Sequence, residues 1–177
     1  MTSFSEALKN AGITPTSSAG YDKKTAGAFT LEMKLYEMKE HVAALRRIHT
    51  KYLSADGEDQ FDYIDSLANR YGYMVIAFQD IIATIIKLTG RLDKNADISI
   101  RRAIAEFQSL FEAECESRML DDAVTSFADR NEVVHAYENY RSNMDTILEN
   151  IQNYQDEYEE IQKLIWDYCK TKNILAK

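Results

Sequence analysis

From about Phe29 to Leu53 the apolar residues Leu31, Leu35, Met38, Val42, Leu45 and Ile48 recur every three or four positions. That spacing places them on one face of an α-helix. A second helix is expected over about 59–88, where Phe61, Ile64, Leu67, Tyr71, Met74, Phe78, Ile81, Ile85 and Leu88 keep the same period. Its second half is apolar around most of its circumference, which marks it as the most buried element. Gly90 to Asn95 end it. A third helix runs from about Ser99 to Ala113 on Ile100, Ile104, Phe107, Leu110 and Phe111, and a shorter one follows at about Leu120 to Ala128 after a break near Glu116 to Met119. The last pattern extends from about Asn131 to Lys170 through Val133, Tyr140, Met144, Ile147, Ile151, Tyr154, Tyr158, Ile161, Ile165 and Tyr168. At 1.5 Å per residue this helix would be about 60 Å long, so its far end must pack after a bend, meet a partner or fray.

Before the first periodic segment, residues 9–28 hold the only proline, three of the six glycines and a cluster of Ser and Thr. The expectation is an N-terminal arm over 1–28, with a short helical turn at Phe4 to Lys9, and one all-α domain over 29–172. Composition agrees: 45% of residues are hydrophobic, and Pro is nearly absent. Twenty-one Lys and Arg stand against 29 Asp and Glu, a net charge of −8. This argues against a broad electrostatic footprint for nucleic acid or anionic membrane, while leaving room for a local basic cleft. Cys115 and Cys169 lie far apart inside helical sequence, so neither a disulfide framework nor a zinc spacing is suggested, and a reducing, cytoplasmic setting is expected. The acidic start Met1 to Glu6 does not resemble a signal peptide, and the apolar run Met74 to Ile86, interrupted by Gln79 and Asp80, is short for a bilayer span.

The chemistry concentrates in Phe127-Ala128-Asp129-Arg130-Asn131-Glu132-Val133-Val134-His135-Ala136-Tyr137. On a helix, Asn131 and His135 are neighbours, while Arg130, about 140° from His135 around the axis, sits close to Val134, Tyr137 and Arg141. The apolar stripe through Val133, Ala136 and Tyr140 faces roughly the other way. A polar surface held by its opposite face follows. The bland reading is solvated surface, or an N-terminal cap at Asp129 or Asn131.

Arg130-Asn131-xxx-His135-x-Tyr137 resembles the R-x4-H-x-Y signature of HEPN-domain proteins, in particular the toxin of two-gene HEPN and minimal-nucleotidyltransferase systems. The resemblance covers roughly residues 30–155. It implies an up-and-down four- or five-helix bundle that forms a homodimer with two motifs facing each other across a cleft. It further implies metal-independent RNA cleavage without a cofactor, with His135 as general acid or base, Arg130 against the scissile phosphate and Asn131 orienting phosphate or imidazole. Tyr137 matches the tyrosine that a cognate nucleotidyltransferase AMPylates to silence the toxin. The residue types suit the task, since His titrates near neutral pH and the Arg fork binds phosphate oxygens. Arg141, Arg101 and Arg102 are candidate phosphate contacts. A non-catalytic HEPN subunit that binds substrate for, or regulates, a nucleotidyltransferase is the alternative, and a structural interaction module a third.

Other features read more plainly. His41 and His49, beside Arg46, Arg47 and Lys51, are expected to be surface or helix-end histidines, and Arg46-Arg47 a solvated pair that could extend a phosphate rim. The tyrosines of the last helix are expected in packing, both cysteines inert, the acidic run Asp156 to Glu160 a solvated face, and Ser54 to Asp59 a turn.

Overall fold

The computed structural model describes residues 23–93, 95–118, 120–130 and 140–175. Among them stand six α-helices and one 3-10 turn, with no strand: α1 (Lys23–Ser54), α2 (Glu58–Leu88), α3 (Ile100–Leu110), α4 (Glu112–Arg118), α5 (Asp121–Ser126), the turn Phe127–Asp129, and α6 (Tyr140–Thr171). The all-α expectation holds, but the count is six rather than four or five. The expected Ser99–Ala113 helix is divided in two at Phe111, whose φ of −126° leaves the helical region. The helical path begins at Lys23, six residues before the apolar stripe does.

The length of the last helix is matched by its neighbours. α1 and α6 have 32 residues each and α2 has 31, each about 48 Å at 1.5 Å per residue. The far end of α6 packs along the bundle through Ile161, Leu164, Ile165 and Cys169, all buried. Directions follow from paired residues. Lys34 reaches Asp80 at 3.3 Å while His41 stacks on Tyr73, so α1 and α2 are antiparallel. Arg46 meets Asp156 while Tyr36 meets Trp166, so α1 and α6 are antiparallel as well.

Local chemistry ends the helices where it must. Gly57 at φ 60° turns the chain into α2, whose first turn carries Glu58 and Asp59 against the positive end of the helix dipole. At the other end Gly90, at φ 75°, lets the Arg91 amide donate to the Ile86 carbonyl at 2.8 Å and the Gly90 amide to the Lys87 carbonyl at 3.2 Å. That Schellman arrangement satisfies carbonyls which the helix leaves open. Asn173, at φ 51°, repeats it after α6, with the Ile174 amide on the Cys169 carbonyl at 3.1 Å. The Ser99 hydroxyl caps α3 by accepting from the Arg102 amide at 3.2 Å.

An aromatic chain runs through the core and joins α2, α3, the 3-10 turn and α6. Phe78 of α2 lies 4.7 Å from Phe127 and 5.5 Å from Phe107 of α3. Phe107 continues to Phe111 at 4.8 Å, and Phe111 to Tyr168 of α6 at 5.1 Å. Tilted and edge-on pairs of this kind add to the burial of large apolar surfaces. α2 is long and apolar enough to cross a membrane by length and composition. Its buried residues, from Leu67 to Ile86, face the other helices, which accounts for its apolar circumference as that of a central core helix.

Candidate functional site

The residues ahead of the R-x4-H-x-Y segment are fixed by a buried chain of hydroxyls. α5 ends at Ser126, the 3-10 turn follows, and Arg130 is the last residue described before Tyr140. Helix ends leave carbonyls without intrahelical donors, and buried ones must find others. The Tyr71 hydroxyl, from α2, donates to the Ser126 carbonyl at 2.7 Å. The Ser126 hydroxyl donates to the Ala123 carbonyl at 2.7 Å, which leaves its oxygen to accept from the Tyr158 hydroxyl of α6 at 2.9 Å. One turn further along, the Asn150 amide donates to Asp129 Oδ2 at 2.9 Å. Two long helices therefore hold the segment Ser126 to Asp129.

The electrostatics of this network are those of a structural anchor. Burial pushes the Tyr71 hydroxyl up to about 12 despite its bond to Ser126, and burial together with Tyr71 pushes Tyr158 well above its ordinary value. Both are neutral hydrogen-bonding groups at physiological pH. Burial of the Cys115 thiol, with Asp121 and Glu114 nearby, raises it to about 11, and burial raises Cys169 to about 12, so neither is poised as a nucleophile.

The candidate residues fall as follows. Arg130 is half-buried and helical in backbone, directly after Asp129. Asn131, His135 and Tyr137 lie outside the described residues. Arg141 belongs to the first turn of α6. Arg101 and Arg102 are exposed on the first turn of α3. Arg102 lies 3.8 Å from Glu106, which also takes Arg91 at 3.3 Å. Phe107, the residue of α3 that joins the Phe78 cluster, is roughly 9 Å further along that helix.

Several plainer expectations change. His49 is buried, 5% exposed, and stacks near-parallel on Tyr52 at 6.2 Å. His41 is half-buried and accepts from Arg70 across 3.4 Å, with burial and then Arg70 holding its pKa below the ordinary value. The acidic run of α6 is only partly a solvated face. Asp156 and Glu159 grip Arg46 of α1 at 2.6 and 3.0 Å, and Lys163 bonds Glu159 at 2.7 Å. Tyr158 is buried, and Tyr154 and Tyr168 pack against the core, as expected of the helix's tyrosines.

Beyond these, a groove of about 630 Å³ opens between α1 and α6, with Tyr36, Val42, Lys39, Arg47, Gln162 and Trp166 among its walls. Tyr36 and Trp166 meet edge to face at 5.3 Å. Helical spacing carries a partial signal for it: Gln162 adjoins Ile161 and lies one turn from Tyr158 and Ile165 on the inward face. No family model, no curated protein and no solved structure matches the chain.

Proposed function

We propose that the chain is an HEPN-type endoribonuclease, the toxin of a toxin–antitoxin pair, acting without a metal as a cytoplasmic homodimer. The observation that carries the proposal is the segment Arg130-Asn131-xxx-His135-x-Tyr137 in an all-α chain. Its placement supports the reading, because it begins one residue after a turn that Tyr71, Tyr158 and Asn150 hold in place. A catalytic constellation needs such rigid support. The broken run α3 to α5 serves as the fourth arm of an up-and-down bundle whose other arms are α1, α2 and α6.

The chemistry is then an in-line transfer within RNA. The 2′-hydroxyl attacks the adjacent phosphorus while its proton passes to the His135 imidazole. The bond from phosphorus to the 5′-oxygen breaks, and that oxygen takes a proton from the partner subunit's His135 in its imidazolium form, leaving a 2′,3′-cyclic phosphate. Arg130 bears against the phosphate as charge builds, and Asn131 orients it. Arg141, with Arg101 and Arg102 further out, supplies cations for the flanking backbone. An AMP placed on Tyr137 by a cognate nucleotidyltransferase adds bulk and negative charge beside His135, and so shuts the site against a polyanion.

The net charge of −8 favours one competing reading, a non-catalytic HEPN subunit that serves a nucleotidyltransferase. The test is cleavage of total and transfer RNA in EDTA by the purified protein and its His135→Ala variant, matched for folding and dimerisation. Cleavage by the parent that falls about 100-fold or more in the variant is expected. Absence of cleavage by an unmodified, folded dimer, or equal cleavage by both, overturns the nuclease reading.

A further inference from the structure

None of the residues of the hydroxyl chain lines the groove between α1 and α6. Lys163 on its wall is roughly 35 Å along α6 from Tyr140, where the described helix begins. The network that anchors the motif leaves the groove without a role.

Its side chains are an unusual set for an acidic protein. Lys39, Arg46, Arg47 and Lys163 line it against two carboxylates, Glu159 and Asp167. Glu159 is occupied by Arg46 and Lys163. Lys39 and Arg47 are exposed, and among the described residues neither has an ion pair or hydrogen bond. Two free cations at the mouth of a groove create a local site for an anion on a chain whose net charge is −8.

Both helices supply aromatic surface, Tyr36 from α1 and Trp166 from α6. Tyr36 is 49% exposed, a large cost in uncovered apolar area for a side chain held in place by Trp166. Gln162 adds the most specific feature. It is only 6% exposed, it lines the groove, and among the described residues its amide has no hydrogen-bond partner. The amide presents an acceptor and two donors side by side. The same pair of groups reads adenine through its amino group and a neighbouring ring nitrogen.

We infer that this groove binds an adenine nucleotide, with the base against Tyr36 and on the Gln162 amide, and the phosphate between Lys39 and Arg47. The size fits, since small-molecule sites span about 300 to 1,000 Å³ and combine apolar walls with a few placed polar groups. Two sources share this chemistry, a free mononucleotide and an adenosine within single-stranded RNA. The inference stands independently of the nuclease reading.

Trp166 is the only tryptophan, so the groove carries its own reporter. AMP, adenosine, inorganic phosphate and an oligoadenylate are titrated into the full chain carrying His135→Ala, which removes cleavage from the readout. Trp166 emission and calorimetry are followed in parallel. AMP is expected to give a saturable signal, with adenosine and phosphate weaker. Gln162→Leu should weaken it about tenfold, the loss of roughly 1.4 kcal/mol of hydrogen bonding. Lys39→Ala with Arg47→Ala, exposed and harmless to folding, should weaken it at least as much and flatten its salt dependence. Equal affinity for AMP and oligoadenylate assigns the free nucleotide, and much tighter oligoadenylate binding assigns the strand. No saturable response to AMP or oligoadenylate, or binding indifferent to the Lys39 and Arg47 substitutions, overturns the inference.

Discussion

Tyr71→Phe removes one oxygen from the hydroxyl chain and leaves the ring where it packs. In the folded protein that hydroxyl donates to the Ser126 carbonyl at 2.7 Å, with Ser126 6% exposed and Tyr71 fully buried. Loss of the bond, together with a carbonyl left short of its donor away from water, costs about 1–3 kcal/mol. At the size of this chain, 1 kcal/mol moves the melting temperature by about 2–4 °C. A second, independent signature comes from pH. The Tyr71 hydroxyl ionises near 10 in the unfolded chain and near 12 in the folded one. Because the folded value is raised, its stabilising contribution is fully present below pH 10 and is lost as pH rises towards 12. Two pKa units correspond to about 3 kcal/mol, an order-of-magnitude figure. Urea unfolding followed by helical circular dichroism at pH 8 and at pH 10.5 measures both effects. The variant should be less stable at pH 8, with an unchanged denaturant slope, and should lose less than the parent between the two pH values. A variant as stable as the parent at pH 8, with the same alkaline loss, would refute the buried donor role.

Three further outcomes follow from the packing and the charges. Phe78→Ala opens a cavity where α2, α3 and the 3-10 turn meet, and should cost about 3–5 kcal/mol in the same urea assay. Arg46→Ala removes a bridge as short as 2.6 Å, yet its partner Asp156 is 76% exposed, so the loss should stay below about 1 kcal/mol and vanish in high salt. Cys115 and Cys169 are buried with raised thiol pKa values, so a colourless disulfide reagent at pH 8 should leave them unreacted in the native protein and titrate both once urea unfolds it.

The three long helices were legible because their apolar residues keep one period over many turns, and Leu31, Leu35, Met38, Val42 and Leu45 are all buried where that period puts them. The division at Phe111 was not, because Ile104, Phe107 and Phe111 continue the helical spacing across a point where the backbone departs from it. Periodicity reports which side chains face inward, and a core contact can be kept through a break. His49 shows the reverse case. Arg46, Arg47 and Lys51 around it suggest a surface, but it lies four residues after Leu45 and seven after Val42, on the inward stripe. Position outweighed the chemistry of its neighbours. Of the candidate catalytic set, the sequence gives spacing alone, whereas the hydroxyl chain beside it joins Tyr71, Ser126 and Tyr158 from three separate segments that no local pattern relates.

That hydroxyl chain links the fold to the proposed chemistry. Where α5 gives way to the 3-10 turn, the path of the chain towards Arg130 is set by bonds from α2 and from α6. The Tyr158 ring also lies 5.3 Å from Phe127, so the same helix fixes the turn through its apolar face and its polar tip together. A change in the register of α2 against α6 would pull Ser126 away from at least one tyrosine. The start of the R-x4-H-x-Y segment is therefore coupled to the packing of α2 and α6, and under the proposed nuclease function substitutions at Tyr71 or Tyr158 should disturb RNA cleavage as well as stability.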